Sequence, residues 1–293
     1  MRVLQPAGAA VTAPAGIVDL RDHAGEIVWA ATRAPSYRNL QPWSFRVAAH
    51  QVEVYADLSR SCPVADPVDR QLHLGLGAAI FGIRLAIARL GLRPVVGLTH
   101  DAAHPDLAAV VVSAGPAGSP VEDAGLYAEL SRRRSVPAAV LGGPVPVDLR
   151  IAITDRIRHE GASARWLSRA TDRSILTDLT LRTAADLAVG RLPIAGTHAE
   201  IPPVSLAICT PSDHRAQWLR AGQALHHALL CASRAGYAAA FLGDLIEVPL
   251  LRDRLRLQLG LPGCPQVLLG LGRMPDPPPS PTTRRPPAEV LRP

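Results

Sequence analysis

Two apolar helical runs constrain this chain more than any other feature of it. Residues 77–92 (GAAIFGIRLAIARLGL) and 222–237 (GQALHHALLCASRAGY) align at an offset of 145 positions. That offset matches Gly77 with Gly222, Ala79 with Ala224, Arg89 with Arg234 and Gly91 with Gly236, and it sets Arg70 against Arg215. Each run follows strand-like segments and closes on a glycine where a left-handed helix cap is expected. In a chain of 293 residues, about two ordinary domains long, such a repeat predicts one duplicated unit in which each half supplies a central helix. The break is expected at the Gly/Pro/Ser stretch 115–120 (GPAGSP), giving an N-terminal half over 1–120 and a C-terminal half over 121–293 that intertwine as one structural unit.

A composition of 48% hydrophobic and 19% charged residues implies a packed core and excludes a disordered polymer. The chain contains no lysine, so all 31 basic residues are arginine and a Walker-type phosphate loop is excluded. Arginine in place of lysine, with heavy Ala, Pro and Gly usage, is the mark of GC-rich coding. With only 4% aromatics there are few platforms for stacking bases, so the net charge of +6 does not argue for a nucleic-acid partner. Cys62, Cys209, Cys231 and Cys264 form no CxxC pair and read as buried thiols in a reducing compartment. Pro6 and Pro14 interrupt any signal-peptide core, and Arg84 and Arg89 interrupt the apolar stretch 74–92. The expectation is a soluble, cytoplasmic protein with no membrane partner.

Apolar spacing predicts helices over 22–33, 69–90, 126–134, 149–160, 164–187, 213–235 and 248–259. Alternating or short apolar runs predict strands over 44–47, 51–56, 95–98, 107–113, 204–209 and 266–271, before an extended Pro-rich tail over 275–293.

The most informative loop is APSYRNLQPWSF, residues 34–45. Pro35 stops a helix and delivers Ser36, Asn39 and Gln41 together, a hydroxyl and two amides that both donate and accept hydrogen bonds. Such a set suits a planar heterocycle with alternating C=O and N–H groups; it suits equally a loop whose polar side chains serve its own backbone.

This string resembles the flavin-contacting loop of the nitroreductase superfamily. Further segments resemble its actinobacterial branch, the Acg-type FMN-binding proteins: DPxxR at 66–70, the helix from Gly77, RRRS at 132–135, WLRAGQAL at 218–225, IEVPxLR at 246–252, PQVLLGLG at 265–272 and RRPPAEV at 284–290. They cover most of the chain in the expected order. The resemblance implies an α+β nitroreductase-like fold, two degenerate halves forming a pseudo-dimer in one chain, with FMN between them. Arg133, Arg134 and Ser135 match the stretch that holds the FMN phosphate and ring edge, and Arg285 with Arg284 matches the C-terminal arginine that closes over the phosphate. Forked guanidiniums suit a dianionic phosphate. An arginine cluster closing a helix, or a solvated pair in a tail, is the structural alternative. By the same match, Ser36, Arg38, Asn39 and Gln41 meet the isoalloxazine, and the backbone around Ile246 and Glu247 approaches flavin N5.

The implied function is an FMN-dependent oxidoreductase that passes hydride from transiently bound NAD(P)H through N5 to a small-molecule acceptor. The alternative is an FMN-holding protein with little turnover. The pseudo-dimer can serve as a monomer, and a homodimer stays open. The chain departs from the family pattern at Pro137, where a further basic residue is usual, at Leu245, where a Pro is common, and at Arg38, where the Acg-type loop often has His. Residues 168–203, with Gly190, Pro193 and Gly196, are the candidate lid. Competing motifs fail. GLGAAI at 75–80 lies inside a helix and lacks the third glycine of GxGxxG, and no GxSxG elbow is present. His226 and His227 are adjacent and diverge by about 100° on a helix, so no metal site is expected, and core packing and exposure account for them.

Overall fold

The computed structural model describes residues 18–99, 103–117, 125–188 and 200–293. After α1 (Ala24–Thr32) the chain forms β1 (Trp43–Val47) and β2 (Gln51–Ala56), the central helix α2 (Arg70–Arg89), then β3 (Leu92–Leu98) and β4 (Leu107–Pro116). There follow α3 (Glu129–Arg132), α4 (Val147–His159), β5 (Ser163–Leu167), α5 (Ala170–Ala188), β6 (Ser205–Thr210), the second central helix α6 (Arg215–Arg234), β7 (Tyr237–Phe241), α7 (Asp244–Glu247), α8 (Pro249–Gln258), β8 (Cys264–Arg273) and α9 (Pro287–Val290). This is the α+β class expected from the sequence.

The strands make two antiparallel four-stranded sheets of the same order, β1-β2-β4-β3 and β5-β6-β8-β7. In both, the long central helix lies between the second and third strands in sequence and ends on a glycine in the left-handed region, Gly91 at φ 74° and Gly236 at φ 78°. The two helices cross at the glycines that the repeat aligns. A Cβ added at Gly77 would collide with the Leu219 carbonyl and stand 3.0 Å from the Gly222 Cα, and one at Gly222 would collide with the Leu74 carbonyl. Only glycine lets the backbones approach this closely. Each helix also opens on an arginine that reaches to the other sheet. Arg70 donates to the carbonyls of Gln266 (2.7 Å) and Ile246 (3.0 Å), and Arg215 donates to those of Pro105 and Leu107 (2.8 Å each).

The cores interlock in the same way. Leu219 and Leu230 of α6 and Val290 of α9 pack into the core built on α1, α2 and the first sheet, whereas Leu74 of α2 packs into the core of α4, α6 and the second sheet. A third core, under α5, α7 and α8, covers the other face of the second sheet, which is why every residue of β6 is buried. The tail crosses back to the first sheet. Leu291 bridges Phe45, the Arg292 amide donates to the Phe45 carbonyl (2.7 Å), and the Arg292 guanidinium stacks 3.9 Å from the Tyr55 ring centre.

Several local expectations need correction. Residues 164–167 are strand rather than helix, because Ala164–Leu167 complete an antiparallel ladder with β6 and the helix starts only at Ala170. Within 126–134 only Glu129–Arg132 is helical, and the Ala-rich strand β7 falls in a stretch where no strand was expected. His226 and His227 are both fully buried, packed on Phe81, so exposure explains neither. Helix α2 is long and apolar enough to cross a membrane, but it is the buried core helix.

Candidate functional site

The loop between α1 and β1 is folded against its residues' ordinary preferences. Arg38, Asn39 and Gln41 all have φ between 45° and 59°, the left-handed region that costs a side-chain-bearing residue about 1 kcal/mol or more. What holds the loop there is a set of contacts to the tail. The Asn39 amide donates to the Thr283 carbonyl (3.0 Å) and its oxygen accepts from Arg284 (2.7 Å), while the Gln41 oxygen accepts from the Arg285 backbone amide (2.8 Å). Ser36 Oγ accepts from the Gln41 amide at 3.0 Å.

Two adjoining cavities open around this loop, one of about 450 Å³ and one of about 220 Å³, and both are walled by Pro35, Ser36, Arg38 and Phe241. The smaller is a chamber of guanidiniums: Arg33, Arg133, Arg134 and Arg284, with Asn39 and Ser135. Arg133 is buried and donates only to Ser135 Oγ (3.2 Å) and the Arg33 carbonyl (3.1 Å). Arg134 is spread over the carbonyls of Ser131 (2.6 Å) and Pro279 (2.9 Å). Among the described residues no carboxylate pairs with any of these four arginines. Burial, then the neighbouring guanidiniums of Arg284, Arg134 and Arg33, drives the pKa of Arg133 down to about 9. Burial and its neighbours likewise bring Arg284 to about 10. The Nε atoms of Arg33, Arg133 and Arg284 are buried without a hydrogen-bond partner. A bound anion would supply both the countercharge and the acceptors that this cluster lacks.

The larger cavity is mostly apolar, lined by Leu74, Leu225, Phe241, Ile246, Val267 and Leu268, among others. Of its polar groups Ser36 and Arg38 stand in the wall shared with the smaller cavity, whereas Tyr37, Gln71, Glu247 and Gln266 line the larger one alone. Tyr37 donates to Glu247 Oε2 at 3.1 Å, and burial together with the Glu247 charge holds its phenol well above the usual range. Buried Arg70 fixes the Ile246 carbonyl and the Gln266 side chain, whose amide is in turn held by Thr210 Oγ1 and Asp213 (3.0 Å each). The site thus stands on strands and helix starts from both sheets.

Nine of the eleven residues expected at a ligand line these cavities. Ser36 and Arg38 face both; Asn39, Arg133, Arg134, Ser135 and Arg284 face the smaller; Ile246 and Glu247 face the larger. Gln41 and Arg285 line neither. The Arg285 side chain turns to the carbonyls of Gln41 and Trp43, to Asp57 (all 3.3 Å) and to the Glu289 carbonyl, so it pins the tail. Both Asn39 amide ends are also spent inside the protein. Arg33, Tyr37, Gln71 and Phe241 were not expected at the site. Tyr37 stands in the informative loop and Gln71 follows the DPxxR arginine, but nothing in the sequence marks Arg33 or Phe241. Helix α5 of the expected lid lines neither cavity, and Gly190, Pro193 and Gly196 lie outside the described residues. Among the described residues no His/Cys/Asp/Glu group could hold a metal ion.

Two sheets of one strand order meet at the crossed central helices, and this architecture is that of the nitroreductase fold. A solved structure from Anabaena variabilis named as a nitroreductase superposes with a TM-score of 0.60 at 12% identity, covering 82% of each chain. No family model matches the chain. The chain is 30% identical over 310 residues to the NAD(P)H nitroreductase Rv3131 of Mycobacterium tuberculosis, covering 89% of this chain and 88% of that one. It is 29% identical over 308 residues to the protein of the same organism named NAD(P)H nitroreductase acg, covering 89% and 92%. The chain belongs to the nitroreductase family, as an Acg-like member.

Proposed function

We propose that this protein is an FMN-dependent oxidoreductase that takes hydride from NAD(P)H and delivers it to a small organic acceptor. The observation that carries the reading is the smaller cavity: four arginines with no carboxylate, three of them with buried Nε–H groups that lack an acceptor. A phosphate dianion supplies the missing acceptors and charge. Next to it the larger cavity of about 450 Å³ offers apolar walls to a ring system, so the donor set fits a ring carrying a phosphate on a short chain. Relatives named for NAD(P)H and for nitroreduction support the same reading.

In this assignment Arg33, Arg133, Arg134 and Arg284 hold the phosphate. Asn39 aims Arg284, and Ser135 and the Arg33 carbonyl aim Arg133. Leu74, Leu225 and Val267 exclude water from the ring. Arg70 fixes the backbone at Ile246 and Glu247 where it meets the ring. Bound there, FMN supplies two-electron chemistry at N5. The same reading treats 1–120 and 121–293 as two nitroreductase-like halves, supported by the common strand order and the reciprocal arginines.

Purified protein titrated with FMN is expected to show a flavin spectrum that saturates at one equivalent per chain, because only one arginine chamber stands at the loop. Anaerobic NADPH or NADH should then bleach the flavin band. Bleaching by dithionite but by neither nucleotide would leave a flavin-holding protein in place of an enzyme, and no flavin binding would end the proposal.

A further inference from the structure

The amides expected to read the flavin ring are consumed elsewhere: Asn39 is saturated by Arg284 and Thr283, and Gln41 is held by Arg285 and faces neither cavity. Gln266 lines the larger cavity, but its side chain is fully used by Arg70, Thr210 and Asp213. One other side-chain amide faces that cavity. Gln71, in the first turn of α2, has a side chain with no hydrogen-bond partner among the described residues and stands partly exposed in the wall. It lies with Glu247 and Gln266 among the residues that the smaller cavity does not share, so it is at the end away from the arginines.

We propose that Gln71 reads the imide edge of the ring, the C2=O, N3–H, C4=O face that lies opposite the phosphate-bearing chain in chemical layout. This rests on the reading of the site as an FMN site. A primary amide is the complement of an imide: its oxygen accepts from N3–H while its NH₂ donates to a flanking carbonyl. Anchored on the first turn of a buried 20-residue helix, the amide is placed by a rigid element.

A cycle that crosses a protein change with a ligand change tests this. Dissociation constants are measured by flavin fluorescence for FMN and N3-methyl-FMN, with wild type and Gln71→Leu. Wild type should bind N3-methyl-FMN roughly tenfold more weakly than FMN, as one lost hydrogen bond with an unsatisfied partner implies. Gln71→Leu should bind FMN roughly tenfold more weakly than wild type does and should lose most of the preference between the two flavins. Riboflavin should weaken by the same factor as FMN in the variant, since the phosphate is untouched. Gln71→Asn, with the amide one methylene back, reports on misfolding through its melting temperature and should recover little of the preference. A tenfold preference that persists undiminished in Gln71→Leu, or no preference in wild type, overturns the assignment. Failure of wild type to bind any flavin would instead fail the functional reading itself.

Discussion

Replacing Arg133 with methionine separates what this residue does for the fold from what it does for a ligand. Its guanidinium makes two hydrogen bonds within the protein, to Ser135 Oγ and the Arg33 carbonyl, and it is buried beside three other cations with its Nε–H unsatisfied. The lost bonds to a charged donor are each worth about 1.5–3 kcal/mol. Against them stands the relief of several kcal/mol of desolvation and repulsion when a buried unpaired cation is removed. The two contributions nearly cancel, so the melting temperature of the unloaded protein should move by less than about 3 °C. Binding loses the charge-assisted contact to the phosphate with nothing in return, about 1.5–3 kcal/mol, or ~10- to 150-fold in the FMN dissociation constant. Riboflavin, with no phosphate, should change by less than about threefold. Fluorescence titration with both ligands and a thermal melt without ligand measure all of this. If riboflavin weakens as much as FMN, or FMN does not weaken, the chamber is not a phosphate site.

Arg284→Ala should weaken FMN about tenfold or more while sparing riboflavin; Arg285→Ala should instead lower the melting temperature and weaken both flavins alike, because that side chain ties the tail to Asp57 and the β1 backbone. Alanine for glycine inside a helix ordinarily stabilises by about 1 kcal/mol, but Gly77→Ala and Gly222→Ala should each cost roughly 3 kcal/mol or more, or abolish folding, because the added carbon meets backbone; denaturant melts give the sign. His226 is fully buried, and burial, with Arg133 behind it, drives its pKa down to about 3. The unfolded chain takes up a proton near pH 6.5 that the native state refuses, so stability falls as pH drops from about 6.5 toward 3, by up to ~1.4 kcal/mol per unit. His226→Gln should remove one proton's worth of that slope in melts run between pH 7 and 4.

The central helices were legible because a run of twenty residues, most of them buried, with a glycine stop leaves a long signal. Strand β7 was not, since Tyr-Ala-Ala-Ala-Phe has little β-propensity and is a strand only because β8 lies beside it. Strand β5 was taken for helix for the converse reason: Ala164 to Leu167 suit a helix until β6 offers them a ladder. The site's arginines were visible as motif, but their division of labour was not. Arg284 and Arg285 are neighbours in sequence, and which of them faces the chamber depends on Asn39, Gln41 and Asp57 more than 200 positions away. Gln41 looked like a ligand for the same reason, as nothing local announces that a returning tail will occupy it.

The arginines that open the two central helices grip main-chain carbonyls across the interface, and Arg70 holds the Gln266 side chain as well. A carbonyl is present whatever amino acid carries it. Mutations at Pro105 or Leu107 can change the chemistry of the gripped segment without removing the acceptor, so docking by Arg215 tolerates sequence drift on the held side. Such an attachment lets one end of the molecule gather arginines around its cavities while the opposite end accumulates unrelated substitutions, and the two remain joined. Mutational scanning should accordingly find Arg215 intolerant and Pro105 and Leu107, whose carbonyls it holds, considerably more permissive.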